Sequence, residues 1–326
     1  MSLTVPEFFE DEYPDFAIYN LYRMVASYID GLKPSQRKII HTAIKNNIKS
    51  PMKVSQMASK VAEQTQYLHG EQNLTSVIVG MAQDFPGTNN LNVLFPESSF
   101  GNRCFPEAAA GRYIFTRKTD DFDSVFDPRD LDILVDQYFE GDKIEPRFFV
   151  PVVPLILING SEGIGSGWAQ KILPRNPNEV KKALREFCNT GEFTAKRLKP
   201  FYKGFKGKIV HSQDNSWEIH GVLERKNTTT LRITELPIGV TLDKYTAILV
   251  KLEEAGTITT FTDLSDPGEN KFEFEVKVTR SWAGKKTDLK LMDELKLIKR
   301  VTENFTCMDE NNQVIEFGNE MDILKK

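Results

Sequence analysis

Cysteine is scarce in this chain: three residues, Cys104, Cys188 and Cys307, lie far apart among 326. That excludes a disulfide framework and any thiolate zinc site with paired spacing, and it suits a reducing cytoplasm. Long apolar runs are missing too. The longest, Phe148 to Ile158, is too short to cross a bilayer and is broken by Pro151 and Pro154. The start, Met1 to Phe16, is acidic and has neither the basic head nor the apolar core of a signal peptide. There is no internal repeat, no low-complexity segment and no sustained heptad pattern. What is present, 40% hydrophobic and 27% charged residues, describes a soluble globular protein long enough for two or more cores.

Positive charge is in deficit overall, with a net charge of −4. Taken whole, that argues against a polyanion partner, but the distribution argues otherwise. Residues 31–83 hold seven basic residues against two acids, 120–145 two against ten, and 170–208 eleven against three. Two basic stretches flanking an acidic one suit a surface with a defined polyanion face, although solvated faces give the same counts.

Gly31-Leu32-Lys33-Pro34 is a turn feeding a helix, with Pro34 and Ser35 as start signals. Ile39, Ile40, Ala43 and Ile44 form the stripe that helix buries, while Arg37, His41 and Lys45 share another face at i, i+4, i+8. The pattern predicts two more helices, about 54–66 and 71–83, joined by Tyr67-Leu68-His69-Gly70. This reads as a helix-turn-helix, a way to bring a helix to a DNA groove. The second helix turns Leu74, Val77, Ile78 and Met81 inward and offers few charges outward. It suits backbone or shape contact rather than base readout.

Arg112-Tyr113 follows the small-residue run Ala108-Ala109-Ala110-Gly111, which leaves open space around the tyrosine. A phenol can act as a covalent nucleophile, restrained by a pKa of about 10. An adjacent guanidinium can hold a phosphate beside it and offset the charge of attack. Alone, the pair reads as a packed tyrosine beside a solvated arginine. Its setting is more specific. Phe100-Gly101-Asn102-Arg103, followed by Ala108 through Arg112-Tyr113-Ile114-Phe115-Thr116, resembles the active-site stretch of type IIA DNA topoisomerases. The Arg-Tyr-Ile-Phe-Thr string is more similar to eukaryotic topoisomerase II than to bacterial gyrase. Further stretches agree in the same order: Asp30 to Lys38, Tyr67 to Gln72, Phe85 to Phe95 and Asn159 to Trp168. The resemblance covers nearly the whole chain, whose size is that of the breakage–reunion subunit of T-even-type bacteriophage topoisomerases.

The resemblance implies that Tyr113 attacks a DNA phosphate and becomes 5′-phosphotyrosyl, while Arg112 contacts that phosphate. Arg23, Lys33 and Arg37 would contact DNA or support the cleavage site, with Asp30 orienting one of these bases. His69 would join the cleavage site, and Leu68 replaces a second family histidine. Ile172 corresponds to an isoleucine that wedges between base pairs; an extra residue before Pro174 leaves Leu173 as the alternative. The implied fold class is α+β, with a winged-helix domain over 1–120 bearing the nucleophile and a mixed α/β tower domain over 121–318. Residues 319–326 would begin a coiled coil, so the chain looks truncated relative to the family. Double-stranded DNA, a second copy of the chain and an ATPase/TOPRIM subunit are the implied partners. Mg2+ and ATP are expected on the partner subunit, with no metal site in this chain and no membrane association. A phage-encoded chain would work in the host cytoplasm.

Two strings invite other chemistry. Asp120-Asp121-Phe122-Asp123 offers carboxylates to a hard cation, but no buried strand precedes it and no distant glutamate completes it, so a solvated linker is the better reading. Val150 to Trp168 enters a glycine-rich turn, yet Gly163, Gly165 and Gly167 make no G-x-G-x-x-G and no G-K-[ST] follows. These glycines instead permit tight backbone packing, expected close to DNA. Beyond Asn178 the pattern predicts a helix to about 190, then strands over 206–212, 217–224 and 228–234. A helical stripe of Leu242, Tyr245, Leu249 and Leu252 follows, then alternating Phe272, Phe274, Val276 and Val278. Two rival functions share these features: a non-catalytic winged-helix DNA-binding protein, and a tyrosine recombinase, which would form a 3′ linkage.

Overall fold

The computed structural model describes residues 4–326, so the first three residues of the acidic start lie outside the described residues. Two short helical segments, Val5–Glu7 and Phe8–Glu12, lead into α1 (Tyr13–Met24). The Gly31 turn then delivers the chain to α2 (Pro34–Lys45), with Pro34 in the first turn and the Lys33 N–H donating to Gln36 Oε1 at 2.9 Å. After β1 (Met52–Lys53) come α3 (Val54–Gln64) and α4 (Glu71–Ala82), then β2 (Leu94–Glu97) and β3 (Phe115–Lys118). The three strands form an antiparallel sheet in the order β1-β3-β2. Three helices and a small sheet in this order are consistent with the winged-helix expectation.

Its core is the predicted one, with Ile39, Ile40 and Ala43 of α2 and Leu74 and Ile78 of α4 fully buried. The same core continues past the expected boundary at 120. Phe122, Val125, Phe126 and Phe149 pack into it through to Leu155.

A hairpin of β4 (Ser161–Ile164) and β5 (Ala169–Ile172) leads to α5 (Pro177–Thr190), where the Asn176 side chain caps the first turn. The second unit holds two antiparallel sheets. One joins β6 (Lys208–His211), β7 (Ser216–His220) and a later strand, Ile298–Thr302, on the far side of β7. The other runs in the order β8 (Val222–Arg225), β9 (Thr230–Glu235), Phe274–Lys277, Thr260–Asp263. The single strand predicted over 217–224 is therefore two strands in two sheets, the chain crossing between them at Gly221. Helix α6 (Leu242–Glu254) buries Leu242, Tyr245 and Leu249 against Phe274 and Val276. Phe272, Phe274, Val276 and Val278 are all buried.

The chain ends in a short helix, α7 (Glu320–Lys325). Its Met321, Ile323 and Leu324 are buried in a core shared with Ile156, Ile158 and Ile172. Glu320 is fully buried and held by Arg197 at 3.0 Å and Arg175 at 3.5 Å.

Candidate active site

The tyrosine loop is pinned at both ends to the start of α3. Ser55 N–H donates to the Gly111 carbonyl at 3.1 Å, Val54 N–H to that of Ile114 at 3.0 Å, and Tyr113 N–H to that of Ala110 at 2.8 Å. A Cβ at position 111 would lie 2.9 Å from Thr75 Cγ2 of α4, so any larger residue there would have to displace that side chain. Ile114 is buried and β3 begins at Phe115, so the chain enters the sheet with Arg112 and Tyr113 left outside. Tyr113 is 63% exposed, and the Arg112 guanidinium carbon stands 4.7 Å from its ring centroid. An exposed phenol on a fixed backbone, with a cation against its π face, is equipped to meet an anionic ester from solution.

A second group forms where α1 meets the helix-turn-helix connection. Tyr19 and His69 Nε2 share a hydrogen bond of 2.7 Å, Arg23 lies 5.6 Å from the Tyr19 ring, and Tyr67 meets the His69 ring edge-on. Burial and the neighbouring Arg23 hold the His69 pKa below its ordinary value, favouring neutral imidazole. The group borders a cavity of about 390 Å³ that also reaches Tyr22, Lys38 and Tyr138. Tyr19 was not among the sequence candidates, although it sits one helical turn before Arg23, where i, i+4 neighbours share a face. Among the described residues no hydrogen bond or ring contact joins this group to Tyr113.

Arg37 and Asp30 are structural in this conformation. Arg37 Nε donates to Asp30 Oδ2 at 2.6 Å and Nη2 to the Leu32 carbonyl at 3.0 Å, with both side chains buried. Asp30 also accepts from the Phe149 N–H at 3.1 Å. Asp30 thus orients Arg37, which braces the Gly31 turn. On the face that Arg37, His41 and Lys45 share, His41 is buried too and only Lys45 is exposed. Lys33 is half-buried, its Nζ donating to the Glu162 carbonyl at 2.7 Å, and burial lowers its pKa.

The two wedge candidates are core residues here. Ile172 is 3% exposed at an inward register position of β5, packed near Ile156 and Ile158. Leu173 is 6% exposed and its N–H donates to Glu303 Oε1 at 2.7 Å. Inserting either into DNA requires this segment to leave its core. The glycine-rich hairpin packs tightly as expected, but against the protein itself: a Cβ on Gly163 would fall 1.8 Å from the Met24 carbonyl oxygen.

Two of the three carboxylates of the acidic segment are already paired. Asp120 meets Arg117 at 3.4 Å, and Asp123 meets Lys118 at 2.6 Å and Lys49 at 3.8 Å. Among the described residues no three His, Cys, Asp or Glu side chains converge to hold a metal ion. No helix among the described residues is long and apolar enough to cross a membrane.

The family profile for the A subunit of DNA gyrase/topoisomerase IV matches residues 23–326. The chain is similar to DNA topoisomerase 2 of Arabidopsis thaliana, 39% identical over 83% of this chain and 19% of that one. It is also similar to DNA topoisomerase 2 of Drosophila melanogaster, 34% identical over 100% of this chain and 23% of that one. It therefore spans less than a quarter of the length of these relatives. The fold is similar to the crystal structure of the Plasmodium falciparum topoisomerase II DNA-binding, cleavage and re-ligation domain, with a TM-score of 0.92 at 34% identity. That match covers 99% of this chain and 44% of the other. A winged-helix arrangement displaying Arg112 and Tyr113, and a profile spanning both units, lead to one conclusion: the chain belongs to the type IIA topoisomerase family that includes the A subunits of DNA gyrase and topoisomerase IV.

Proposed function

We propose that this chain breaks and rejoins DNA, with Tyr113 as the nucleophile. The observation that carries the reading is the exposed Tyr113 phenol, fixed on a loop pinned to α3 with Arg112 across its ring. The phenolic oxygen forms a bond to a backbone phosphorus as the bond from that phosphorus to the 3′ oxygen breaks. The phenolic proton is lost and the departing 3′ oxygen gains one. The reverse attack by the 3′ hydroxyl reseals the strand. One phosphoester replaces another, so the chemical step needs no energy source. Arg112 stabilises the phosphate charge during transfer, and Arg23 and His69 support the site from α1 and the helix-turn-helix connection.

Double-stranded DNA is the proposed substrate, with a second copy of the chain and an ATPase/TOPRIM subunit as its partners in the assembly. Magnesium and ATP are assigned to that TOPRIM partner, consistent with the paired state of Asp120 and Asp123.

Tyr113→Phe keeps the ring and removes only the attacking oxygen. It is expected to abolish covalent adduct trapped by denaturant while leaving DNA affinity within about twofold, since affinity comes mainly from many phosphate contacts. Residual adduct in that variant would place the nucleophile elsewhere, and absence of adduct in every assembly would favour a non-catalytic DNA-binding protein. Attachment at the 3′ rather than the 5′ end of the break would favour recombinase-like chemistry.

A further inference from the structure

The loop that carries Tyr113 is not confined to the winged-helix unit. Its tip, Asn102-Arg103-Cys104, is inserted into the second unit, where Cys104 is fully buried in the core with Leu231 and Tyr245. Arg103 is 5% exposed and uses its planar head as a three-way clamp. Nη1 donates to the Val240 carbonyl at 2.7 Å, and Nη2 to those of Leu236 at 3.0 Å and Pro237 at 2.9 Å. The guanidinium also lies 5.0 Å from the Phe272 ring centroid and 3.9 Å from the Glu235 carboxylate. Its backbone N–H is held separately, by Asn270 Oδ1 at 2.8 Å.

The base of the loop is closed on the other unit. Ala109 N–H donates to the Ser99 carbonyl at 3.0 Å, and Gln83 Nε2 at the end of α4 spans the Phe100 and Pro106 carbonyls at 2.9 and 2.8 Å. Tip and base therefore move together, and the segment leaving the base runs directly into Gly111, Arg112 and Tyr113. We infer that Arg103 is a positioning residue for Tyr113, fixing the tyrosine loop to the second unit so that both units together set where the phenol stands. This rests on Tyr113 being the nucleophile. Three carbonyls pointing at one guanidinium need its rigid fork; the lysine ammonium reaches them without that planar geometry. Misplacement of a reacting group by about 1 Å costs on the order of a hundredfold in rate.

Two variants test it. Arg103→Lys keeps the charge facing Glu235 and loses the fork. Asn270→Gly removes only the acceptor of the Arg103 N–H, and glycine tolerates the φ of +55° at that exposed position. The full chain is assembled with magnesium and an ATPase/TOPRIM partner, and adduct formation is timed at saturating DNA beside a separate measurement of DNA affinity. A tenfold or greater loss of rate in Arg103→Lys, a smaller loss in Asn270→Gly, and affinity unchanged in both are expected. A merely structural role would lower affinity with rate, or neither.

The second readout does not depend on the chemistry. Spin labels on Tyr113→Cys and Val250→Cys, in a Cys188→Ser background, report the distance from the tyrosine position to α6. Both substitutions should broaden that distance distribution. An unchanged width, or a broadened one with an unchanged rate, overturns the inference, and Asn270→Gly decides if Arg103→Lys does not fold. Adduct missing even from the unsubstituted chain would instead overturn the nucleophile assignment, while the distance measurement still reports whether Arg103 anchors the loop.

Discussion

Arginines of identical charge do opposite work in this chain. Arg112 stands in solvent beside Tyr113, whereas Arg37 is buried against Asp30. Arg37→Ala leaves the Asp30 carboxylate buried without its partner, a change that typically costs about 3–5 kcal/mol. A sharply lowered thermal midpoint is therefore expected for Arg37→Ala. Arg112→Ala should leave the midpoint within a degree or two and slow adduct formation instead. Equal midpoints for the two variants would contradict the buried role of Arg37. The sequence placed Arg37 correctly on its helix but could not show that Phe149, far along the chain, closes over the pair. His41 adds a pH effect. Burial first, then Lys45, Lys143 and Lys38, push its pKa from 6.5 to about 4. The folded state thus binds fewer protons than the unfolded chain between these values, so stability is complete above about 6.5 and falls as pH drops towards 4. The loss is on the order of 3 kcal/mol. Denaturant titrations at pH 7 and 4.5 should show that His41→Gln loses less stability on acidification than the unsubstituted chain.

Among the elements, the hairpin β4–β5 shows best what a sequence pattern conveys and what it omits. The spacing of Gly163, Gly165 and Gly167 excluded a nucleotide loop and indicated close backbone approach, but not what approaches. The structure supplies α1, whose Met24 carbonyl occupies the place a Cβ on Gly163 would take. Gly163→Ala must separate the hairpin from α1, with an expected cost of about 2 kcal/mol or more. Gly70→Ala, where a Cβ meets nothing within 4 Å, is the control and should shift the midpoint little. Thermal melts of the two proteins distinguish the outcomes, and equal shifts would mean that the hairpin does not pack on α1 as described. The same limit explains the two strands read as one over 217–224. Alternation reports that a segment is extended, whereas the change of sheet at Gly221 depends on partners drawn from residues 230–235 and 298–302. The helices at 54–64 and 71–82 were legible because a 3.6-residue stripe identifies a helix without reference to its neighbours.

At the scale of the whole molecule, a net charge of −4 conceals which cations remain free to meet a polyanion. Arg37 and Arg175 are locked to Asp30 and Glu303, so the basic stretches are less available than their counts suggest. Lys181, Lys182 and Arg185 of α5, by contrast, extend from a helix whose only buried residues are Val180 and Ala183. DNA affinity should therefore fall steeply with salt, and alanine at these three positions should reduce the slope of log K against log salt by about one for each phosphate no longer engaged. An unchanged slope would move the DNA face away from α5. Binding and cutting should separate more sharply still. In this chain Asp120 and Asp123, just after β3, are engaged with Arg117, Lys118 and Lys49, and a metal taking them would have to break those pairs. Adduct is accordingly expected only when magnesium and an ATPase/TOPRIM partner are both added, whereas DNA binding needs neither. Efficient double-strand cleavage by the purified chain with magnesium alone would overturn the split site and return Asp120, Asp121 and Asp123 to consideration as metal ligands.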